Sequence, residues 1–184
     1  MIDERALLPR LQALEEEALE VVYDTFQPPL YRYAYRLLGH VDAAEDVVAE
    51  TFHRLLQALY RGQGPQRHIQ AWLYRVTHNL AVDHYRREPA RAAPLAEELP
   101  AETEPDEEVL RRMAQERIRP ALHRLTSDQQ RVILLKFLEG LSNEEVAVIL
   151  GKPVGAIKSL QHRALAALRR ILEQPAASRQ KESR

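Results

Sequence analysis

Apolar residues recur at spacings of three and four along most of this chain, and few stretches alternate between apolar and polar residues. The first spacing places apolar side chains on one side of an α-helix, whereas alternation would indicate β-strands. Residues 87–108 break the pattern with four prolines and no apolar stripe. The pattern therefore predicts an all-α protein of two small helical domains joined by a proline-rich linker.

The boundaries of these parts follow from the same pattern. The N-terminal helical domain is predicted to cover residues 6–88, the linker residues 89–107, and the C-terminal helical domain residues 108–173. Residues 174–184 are polar and are predicted to form a frayed tail.

Four helices are predicted in the N-terminal domain. The first runs from about Leu7 to Phe26 and stops at the two prolines that follow. The second ends at Gly39, because glycine suits the left-handed residue that closes many helices. The third begins at Asp42, whose carboxylate is expected to cap the helix while Glu45 reaches back to it.

A loop and a fourth helix complete the N-terminal domain. Two glycines and a proline in residues 61–68 predict the loop, because they do not continue a helix. The fourth helix is predicted to bury Ile69, Trp72, Leu73, Val76 and Leu80. Its other side presents Arg75, Asn79, Asp83 and Arg86.

The C-terminal domain contains two predicted helices joined by a tight turn. Ser142 and Glu145 form a predicted capping box, and Gly151 with Pro153 ends one helix and starts the next. The apolar positions of the second helix are Ile157, Leu160, Ala164, Leu168 and Ile171. Its outward positions near the N-terminus are Gly155, Lys158, Ser159, Gln161, His162 and Arg163.

These outward positions are the ones with which a helix-turn-helix contacts base edges in the major groove. The alternative is an αα-hairpin whose basic face is simply solvated. A preceding helix over residues 127–140 is expected to complete the core by burying Val132, Leu135 and Leu138.

The charge of the chain is distributed unevenly, although the formal net charge of its 184 residues is only −1. Counting Lys and Arg against Asp and Glu gives −5 for residues 1–27, +3 for 28–92, −7 for 93–108 and +8 for 109–184. An acidic stretch thus separates two basic ones, which is typical of a protein that binds a polyanion.

Composition and motifs exclude several classes of protein. There is no cysteine, which excludes disulfides and thiolate metal sites, and no apolar run approaches the roughly 20 residues of a membrane-spanning helix. We therefore expect a cytoplasmic protein without membrane insertion. The motifs of phosphate-binding loops, zinc proteases and serine hydrolases are absent and the seven histidines lie apart, so no enzyme activity, cofactor or metal is expected.

Taken in series, these motifs resemble a bacterial extracytoplasmic-function (ECF, group 4) sigma factor of the sigma-70 family. The segment "LYRYAYRLLGHVDAAEDVVAETFHRLL" is similar to the region 2 helices that dock on RNA polymerase. The segment "AWLYRVTHNLAVDHYRRE" is similar to the part of region 2 that recognises and melts the minus-ten promoter element. Residues 125–172 resemble region 4, and the whole resemblance covers about residues 14–173.

The resemblance implies a role for each group of residues. Asp46 and Glu50 fall where the docking helix of the family presents acids to the β′ subunit, with Ala49 in place of the usual glutamine. Arg61 and Arg67 lie in the loop that in this family captures a base flipped out of the melted strand, and the alternative is a mobile connector between helices. The residues expected to face the minus-ten element from the fourth helix are Arg75, Asn79, Arg86 and Arg87. The outward positions of the helix-turn-helix would read the minus-thirty-five element.

The implied function is that of a sigma factor. It would bind core RNA polymerase through the β′ and β subunits, contact promoter DNA as duplex and as melted single strand, and help to open the duplex. Family members are often held inactive by an anti-sigma factor, so such a partner is also expected. The acidic linker is expected to thread the RNA exit channel and to keep the two domains apart until the polymerase aligns them.

Two other functions fit the same residues. A conventional helix-turn-helix regulator would bind duplex DNA without polymerase and would use its N-terminal bundle for dimerisation or sensing. A structural adaptor of polymerase, or an anti-sigma partner, would have lost the DNA contacts. Sequence-specific binding to duplex DNA without polymerase would identify the regulator. Replacing Lys158 and Arg163 with alanine would lower promoter-dependent activity of a sigma factor but leave that of an adaptor unchanged.

Overall fold

The computed structural model describes residues 3–87 and 118–173, and the regular elements in both ranges are helical. The first range, here the N-terminal half, contains α1 (Glu4–Gln12), α2 (Glu16–Leu38), α3 (Val41–Tyr60) and α4 (Ile69–Arg87). The second range, the C-terminal half, contains α5 (118–123), α6 (Ser127–Ile133), a π-helical turn (Leu134–Leu138), α7 (Asn143–Leu150) and α8 (Val154–Glu173). The all-α prediction is confirmed for these ranges. The predicted linker and tail lie outside the described residues.

The predicted first helix is broken between α1 and α2. Leu14 adopts a left-handed conformation, with φ of +58°. Its N–H donates to the carbonyl of Leu11, and the N–H of Glu15 donates to the carbonyl of Arg10. This is the Schellman arrangement that usually employs glycine. The predicted helix from Leu7 to Phe26 is therefore wrong, because the residue that ends α1 carries no glycine signal.

Helix α2 continues through Pro28 and Pro29, where the sequence predicts a stop. A proline donates no backbone hydrogen bond, so the carbonyls one turn earlier lose their usual donors. Those carbonyls belong to Asp24 and Thr25, which are both exposed and can bond water instead. Burial maintains the helix because its apolar stripe continues on both sides of the prolines as Val22, Phe26, Leu30, Tyr33 and Leu37.

The turn between α2 and α3 is tight. Gly39 closes α2 in the left-handed conformation, with φ of +79°, as predicted. His40 is the N-cap residue of α3, and neither Asp42 nor Glu45 forms the predicted capping box. Because α3 begins at Val41, Asp42 already lies in the first turn and is one residue too late to cap it.

Helices α2, α3 and α4 pack around a common core. Its fully buried side chains include Leu30, Leu37, Leu55, Ile69 and Leu73. The hydroxyls of Thr51 and Thr77 meet at 3.1 Å inside this core, so the polar groups there are paired.

The buried face of α4 differs from the predicted one. Ile69 and Leu73 are buried as predicted, but Trp72, Val76 and Leu80 are only half-buried. The other buried residues are Tyr74, Thr77, His78 and Ala81. The face is rotated because α4 packs against α2 and α3 and also against α7 of the C-terminal half.

The C-terminal half begins α7 with the predicted capping box. The hydroxyl of Ser142 accepts from the N–H of Glu145 at 3.1 Å, and the carboxylate of Glu145 accepts from the N–H of Ser142 at 2.7 Å. Gly151 ends α7 with φ of +63°. In the preceding helix Val132 and Leu135 are buried, whereas Leu138 is exposed because it lies at the end of the wider π-helical turn.

The two halves pack directly against each other. The Glu139 carboxylate, only 3% exposed, lies 2.6 Å from the Arg36 guanidinium and 3.4 Å from that of Arg32, both on α2. The Arg119 guanidinium lies against Gly39. The expectation that the linker keeps the halves apart is wrong for this conformation. The bonds from Arg36 and Arg32 to Glu139 join residues about a hundred positions apart, one in each half.

A buried histidine lies where the halves meet. His78 is 1% exposed, and its ring nitrogens contact the Tyr33 hydroxyl at 2.8 Å and the Ser127 hydroxyl at 3.1 Å. A hydroxyl can donate or accept, so these partners satisfy a neutral imidazole in either tautomer. Burial is the main cause that lowers the pKa of His78 to about 3, and the charge of Arg131 acts in the same direction.

Replacing Gly39 with alanine is expected to destabilise the protein. The left-handed conformation strains any side chain by about 1–2 kcal/mol, and the new Cβ would also overlap the buried Arg119 guanidinium. Urea denaturation should show a loss of unfolding free energy larger than that of Gly151→Ala, whose Cβ meets nothing within 4 Å. Equal losses for the two variants would contradict a contribution from Arg119.

Stability is expected to fall in acid because of His78. The unfolded chain binds a proton near pH 6.5 while the native ring stays neutral down to about pH 3, so the contribution is present above pH 6.5 and is lost as the pH falls towards 3. Between these pH values the unfolding free energy should change by about 1.4 kcal/mol per pH unit because of His78, a slope of about one proton. Urea denaturation of His78→Gln should lack this part of the slope, and the exposed His162→Gln should retain it. A wild-type slope in His78→Gln would disprove the assignment.

Candidate nucleic-acid interface

Helices α7 and α8 form the predicted helix-turn-helix, and α6 supports them. The side chains of Ile157, Leu160 and Ala164 are buried, and α8 packs against both α6 and α7. Exposed residues at the predicted reading positions are Gly155, Lys158, Ser159, His162 and Arg163, whereas Gln161 is half-buried. The apolar spacing of α8 thus orients its N-terminal turns as the sequence predicts.

Local contacts fix the geometry of this element. Lys152, in the turn before α8, lies 3.1 Å from the carboxylate of Asp128 on α6. Within α8, the Ser159 hydroxyl donates to the carbonyl of Gly155 at 3.3 Å, and Arg163 donates through Nε to the carbonyl of Ser159 at 3.4 Å. The Nε bond holds the base of the Arg163 guanidinium along the helix. A basic, outward helix face of this kind suits phosphate and base-edge contacts.

Helix α1 anchors the loop at residues 61–68. The carboxylate of Glu4 accepts from the backbone N–H of Gln70 at 3.0 Å, in the first turn of α4, and Gln12 donates to the carbonyl of Pro65 at 3.1 Å. Gly64 is buried, and a Cβ there would lie 2.6 Å from Leu59 Cδ2. These contacts hold the loop backbone in place.

The arginines of this loop face solvent. Arg61 and Arg67 are both exposed, and Gly62 adopts φ of +66°. Arg67 lines an open groove of about 950 Å³ between α1, the loop and α7, to which Glu145 and Val148 contribute from the C-terminal half. The structure thus places this loop of the N-terminal half next to α7 of the C-terminal half.

The predicted minus-ten residues of α4 lie on its exposed side, namely Arg75, Asn79, Arg86 and Arg87. Asn79 has a partner in the C-terminal half, because Arg131 of α6 donates to its amide oxygen at 3.0 Å. Tyr85 is covered on one ring face by His123, with ring centroids 3.3 Å apart and planes 5° from parallel. Two side chains on α4 are therefore occupied by the C-terminal half.

The acidic pair predicted to bind polymerase lies on α3, one turn apart. Glu50 accepts from Arg54 at 2.8 Å and contacts His53 at 3.4 Å, and these contacts, that of Arg54 first, hold the pKa of its carboxyl below the usual range. Asp46 and Glu50 line a groove between α3 and α4 together with Arg87. The acidic patch and the basic end of α4 are thus neighbours.

Sequence reasoning missed the contacts made between the halves. Glu139 precedes Gly140 and looks like an ordinary residue near a helix end, while Arg36 looks like a solvated cation. Their pairing has no local signal, because it depends on how the halves pack.

Among the described residues, no helix is long and apolar enough to cross a membrane. Residues 3–87 and 118–173 contain no cluster of three or more His, Asp and Glu that could hold a metal ion.

Comparison with known families matches both halves. The Sigma-70 region 2 family matches residues 22–91, and the Sigma-70 region 4 family matches residues 115–168. Together the two matches cover more than half of the chain. The first contains α3 and α4 with the acidic pair and the loop, and the second contains the helix-turn-helix.

Individual sigma factors are similar over most of the chain. The ECF RNA polymerase sigma factor BldN of Streptomyces coelicolor is 36% identical over 170 residues, which cover 90% of this chain and 64% of BldN. SigL of Mycobacterium tuberculosis is 32% identical over 170 residues, with 91% of this chain and 96% of SigL covered. This chain therefore spans about two thirds of the length of BldN but nearly all of SigL.

Solved structures show the same fold. CnrH in complex with the cytosolic domain of CnrY is 25% identical, with 92% of this chain and 97% of that chain covered and a TM-score of 0.64. The sigma factor RpoE in complex with the anti-sigma factor NepR from Bartonella quintana is 24% identical, with 88% and 98% covered and a TM-score of 0.52. From the two family matches and these relatives, the chain belongs to the ECF RNA polymerase sigma factors of the sigma-70 family.

Proposed function

We propose that this sigma factor binds core RNA polymerase, recognises the minus-ten and minus-thirty-five elements of a promoter, and helps to open the duplex between them and the start site. One observation carries the proposal. In a chain that belongs to this family, α8 is fixed by its buried apolar side and presents Lys158 and Arg163 to solvent. A helix held in this way can enter the major groove of a duplex with its N-terminal turns.

The N-terminal half is proposed to handle the melted strand. Single-strand binding combines cations along the backbone with surfaces that bases can stack on or bond to. Arg61 and Arg67 are exposed on a loop whose backbone α1 anchors, and they are proposed to hold phosphates near a flipped base. Arg75, Arg86 and Arg87 are proposed to contact phosphates from α4, and Asn79 to bond a base edge.

The acidic face of α3 is proposed to dock on the β′ subunit, and the C-terminal half to contact the β subunit. Support comes from the exposure of Asp46 and from its position one turn before Glu50 on the helix that matches region 2. Because Arg54 compensates part of the charge of Glu50, Asp46 is proposed to make the stronger contact with a basic partner.

Further partners follow from the same proposal. An anti-sigma factor is proposed as a regulator, supported by the solved complex of the similar CnrH with the cytosolic domain of CnrY. The protein is proposed to act in the cytoplasm beside RNA polymerase, without a cofactor and without catalysing a reaction itself. The family matches favour this function over a conventional regulator that would bind duplex DNA alone.

Run-off transcription with purified core polymerase tests the proposal. Genomic fragments are transcribed with and without this protein, and specific transcripts are expected only when it is added. Mobility-shift assays of the free protein on the same fragments form the control, since each basic patch should bind weakly by itself. Tight, specific duplex binding without any initiation would instead support the conventional regulator.

Replacing Lys158 and Arg163 with alanine is expected to reduce initiation at least tenfold. Each side chain offers a phosphate or base contact of about 1–3 kcal/mol, and tenfold corresponds to about 1.4 kcal/mol. Run-off transcript yield at limiting protein measures the loss. The double variant Arg169→Ala/Arg170→Ala removes equal charge from exposed positions later on α8 and should retain activity. Full activity of the first variant would support a structural adaptor instead.

Asp46→Asn is expected to weaken binding to core polymerase more than Glu50→Gln does. The lost charge at Asp46 should reduce affinity by about tenfold, as expected when one member of an interfacial charge pair is removed. Fluorescence anisotropy of labelled protein against core polymerase gives the affinities. Glu20→Gln changes an exposed acid on α2 and serves as the control. An unchanged affinity for both α3 variants would place the polymerase contact elsewhere.

A further inference from the structure

Helix α1 contacts the short segment that leads from the loop into α4. One oxygen of the Glu4 carboxylate accepts from the backbone N–H of Gln70 at 3.0 Å, and the other lies 3.6 Å from the His68 ring nitrogen Nδ1. The Gln12 amide, at the far end of α1, donates to the carbonyl of Pro65 at 3.1 Å. These contacts hold both ends of the segment against one helix.

Glu4 caps α4 from a different helix. The first turn of any helix leaves backbone N–H groups without partners inside that helix, and the N–H of Gln70 is one of them. In most helices a side chain just before the first turn accepts such a bond. Glu4 accepts it here from 66 positions away, and its negative charge suits the positive end of the helix dipole. The start of α4 is therefore tied to the placement of α1.

Helix α1 is itself fixed by its own cap and by burial. The Asp3 carboxylate accepts from the backbone N–H of Arg5 at 3.0 Å and so begins the helix. Leu7 and Leu11 are buried in the core, and the left-handed residue Leu14 sets where α1 ends. A helix held at its start, its apolar side and its end provides a stable support for the segment that it contacts.

Arg67 lies between the two backbone points that α1 holds, namely Pro65 and Gln70, and its side chain is exposed. A cation on a backbone that is already ordered gives up less conformational freedom when it meets a phosphate. A binding site also discriminates best when a second set of contacts holds the residues that touch the ligand. The contacts of α1 provide such support for the loop without extending into it.

We propose that Glu4 and Gln12 are positioning residues, which set how strictly this sigma factor selects the base that its loop captures from the melted strand. Both act through the backbone that carries Arg67 rather than by touching the strand. The Sigma-70 region 2 match begins at residue 22, so α1 lies outside it and the match assigns α1 no role. The selectivity rests on the proposed function, whereas the contacts of α1 do not.

Amide hydrogen exchange in the full chain tests the contact. Glu4→Ala removes the acceptor of the Gln70 N–H, so nuclear magnetic resonance should show this amide exchanging about tenfold faster. Glu4→Gln keeps a side-chain oxygen at the same place and should retain most of the protection. Glu20→Ala removes an exposed carboxylate from α2 and should leave the exchange unchanged. Equal exchange in Glu4→Ala and in the unchanged chain would overturn the role of Glu4.

Base selectivity tests the positioning role. Run-off transcription with core polymerase is measured on promoters that differ by one base at each position of the minus-ten element. Glu4→Ala and Gln12→Ala should each lower the preference for the best base about three- to tenfold at one position, the range expected for one lost hydrogen bond. Glu4→Gln should keep most of the preference. Preferences in the minus-thirty-five element and affinity for core polymerase should not change.

The outcomes separate positioning from a damaged fold and from a different function. Lower transcript yield with an unchanged base profile would overturn the positioning role, because loss of folded protein reduces transcription from every promoter alike. Relaxed preference throughout both elements would overturn it as well. If the unchanged protein directs no specific transcript, the proposed function is rejected together with the selectivity, whereas faster exchange of the Gln70 amide in Glu4→Ala would still confirm the cap.

Discussion

The structure depends on α2 remaining one helix through Pro28 and Pro29. Its first part packs within the N-terminal half, and its last turns supply that half with Tyr33 and Leu37. The same turns provide the Arg32 and Arg36 side chains that meet Glu139. A break at the prolines would move these residues together relative to the rest of the bundle. The core of the N-terminal half and its docking surface therefore rest on one continuous buried stripe.

Local signals allowed several features to be predicted from sequence. The capping box of Ser142 and the glycine end of α2 each involve residues within four positions of one another, so their chemistry is complete in the sequence. The outward face of α8 follows from its apolar spacing for the same reason. By contrast, the end of α1 at Leu14 uses a residue type that rarely ends a helix, and the passage of α2 through two prolines depends on packing by α3 and α4.

Long-range pairing explains what sequence reasoning could not reach at the candidate site. Glu139 and Arg36 are 103 positions apart, and no spacing rule connects them. Segment charges suggested that an acidic linker governs how the halves relate, but among the described residues it is a single buried carboxylate that meets two arginines. The burial of His78 could not be predicted for the same reason, because it depends on Ser127 of the other half as well as on Tyr33.

The junction between the halves combines polar contacts with shared apolar burial. Buried apolar side chains of both halves form one core, and separating them would expose surface that water disfavours. At the junction the hydrogen bonds and ion pairs join charged, amide and imidazole groups, while buried apolar residues of the two halves belong to one core. Because the two halves share this core, their docking rests on apolar burial as well as on polar contacts.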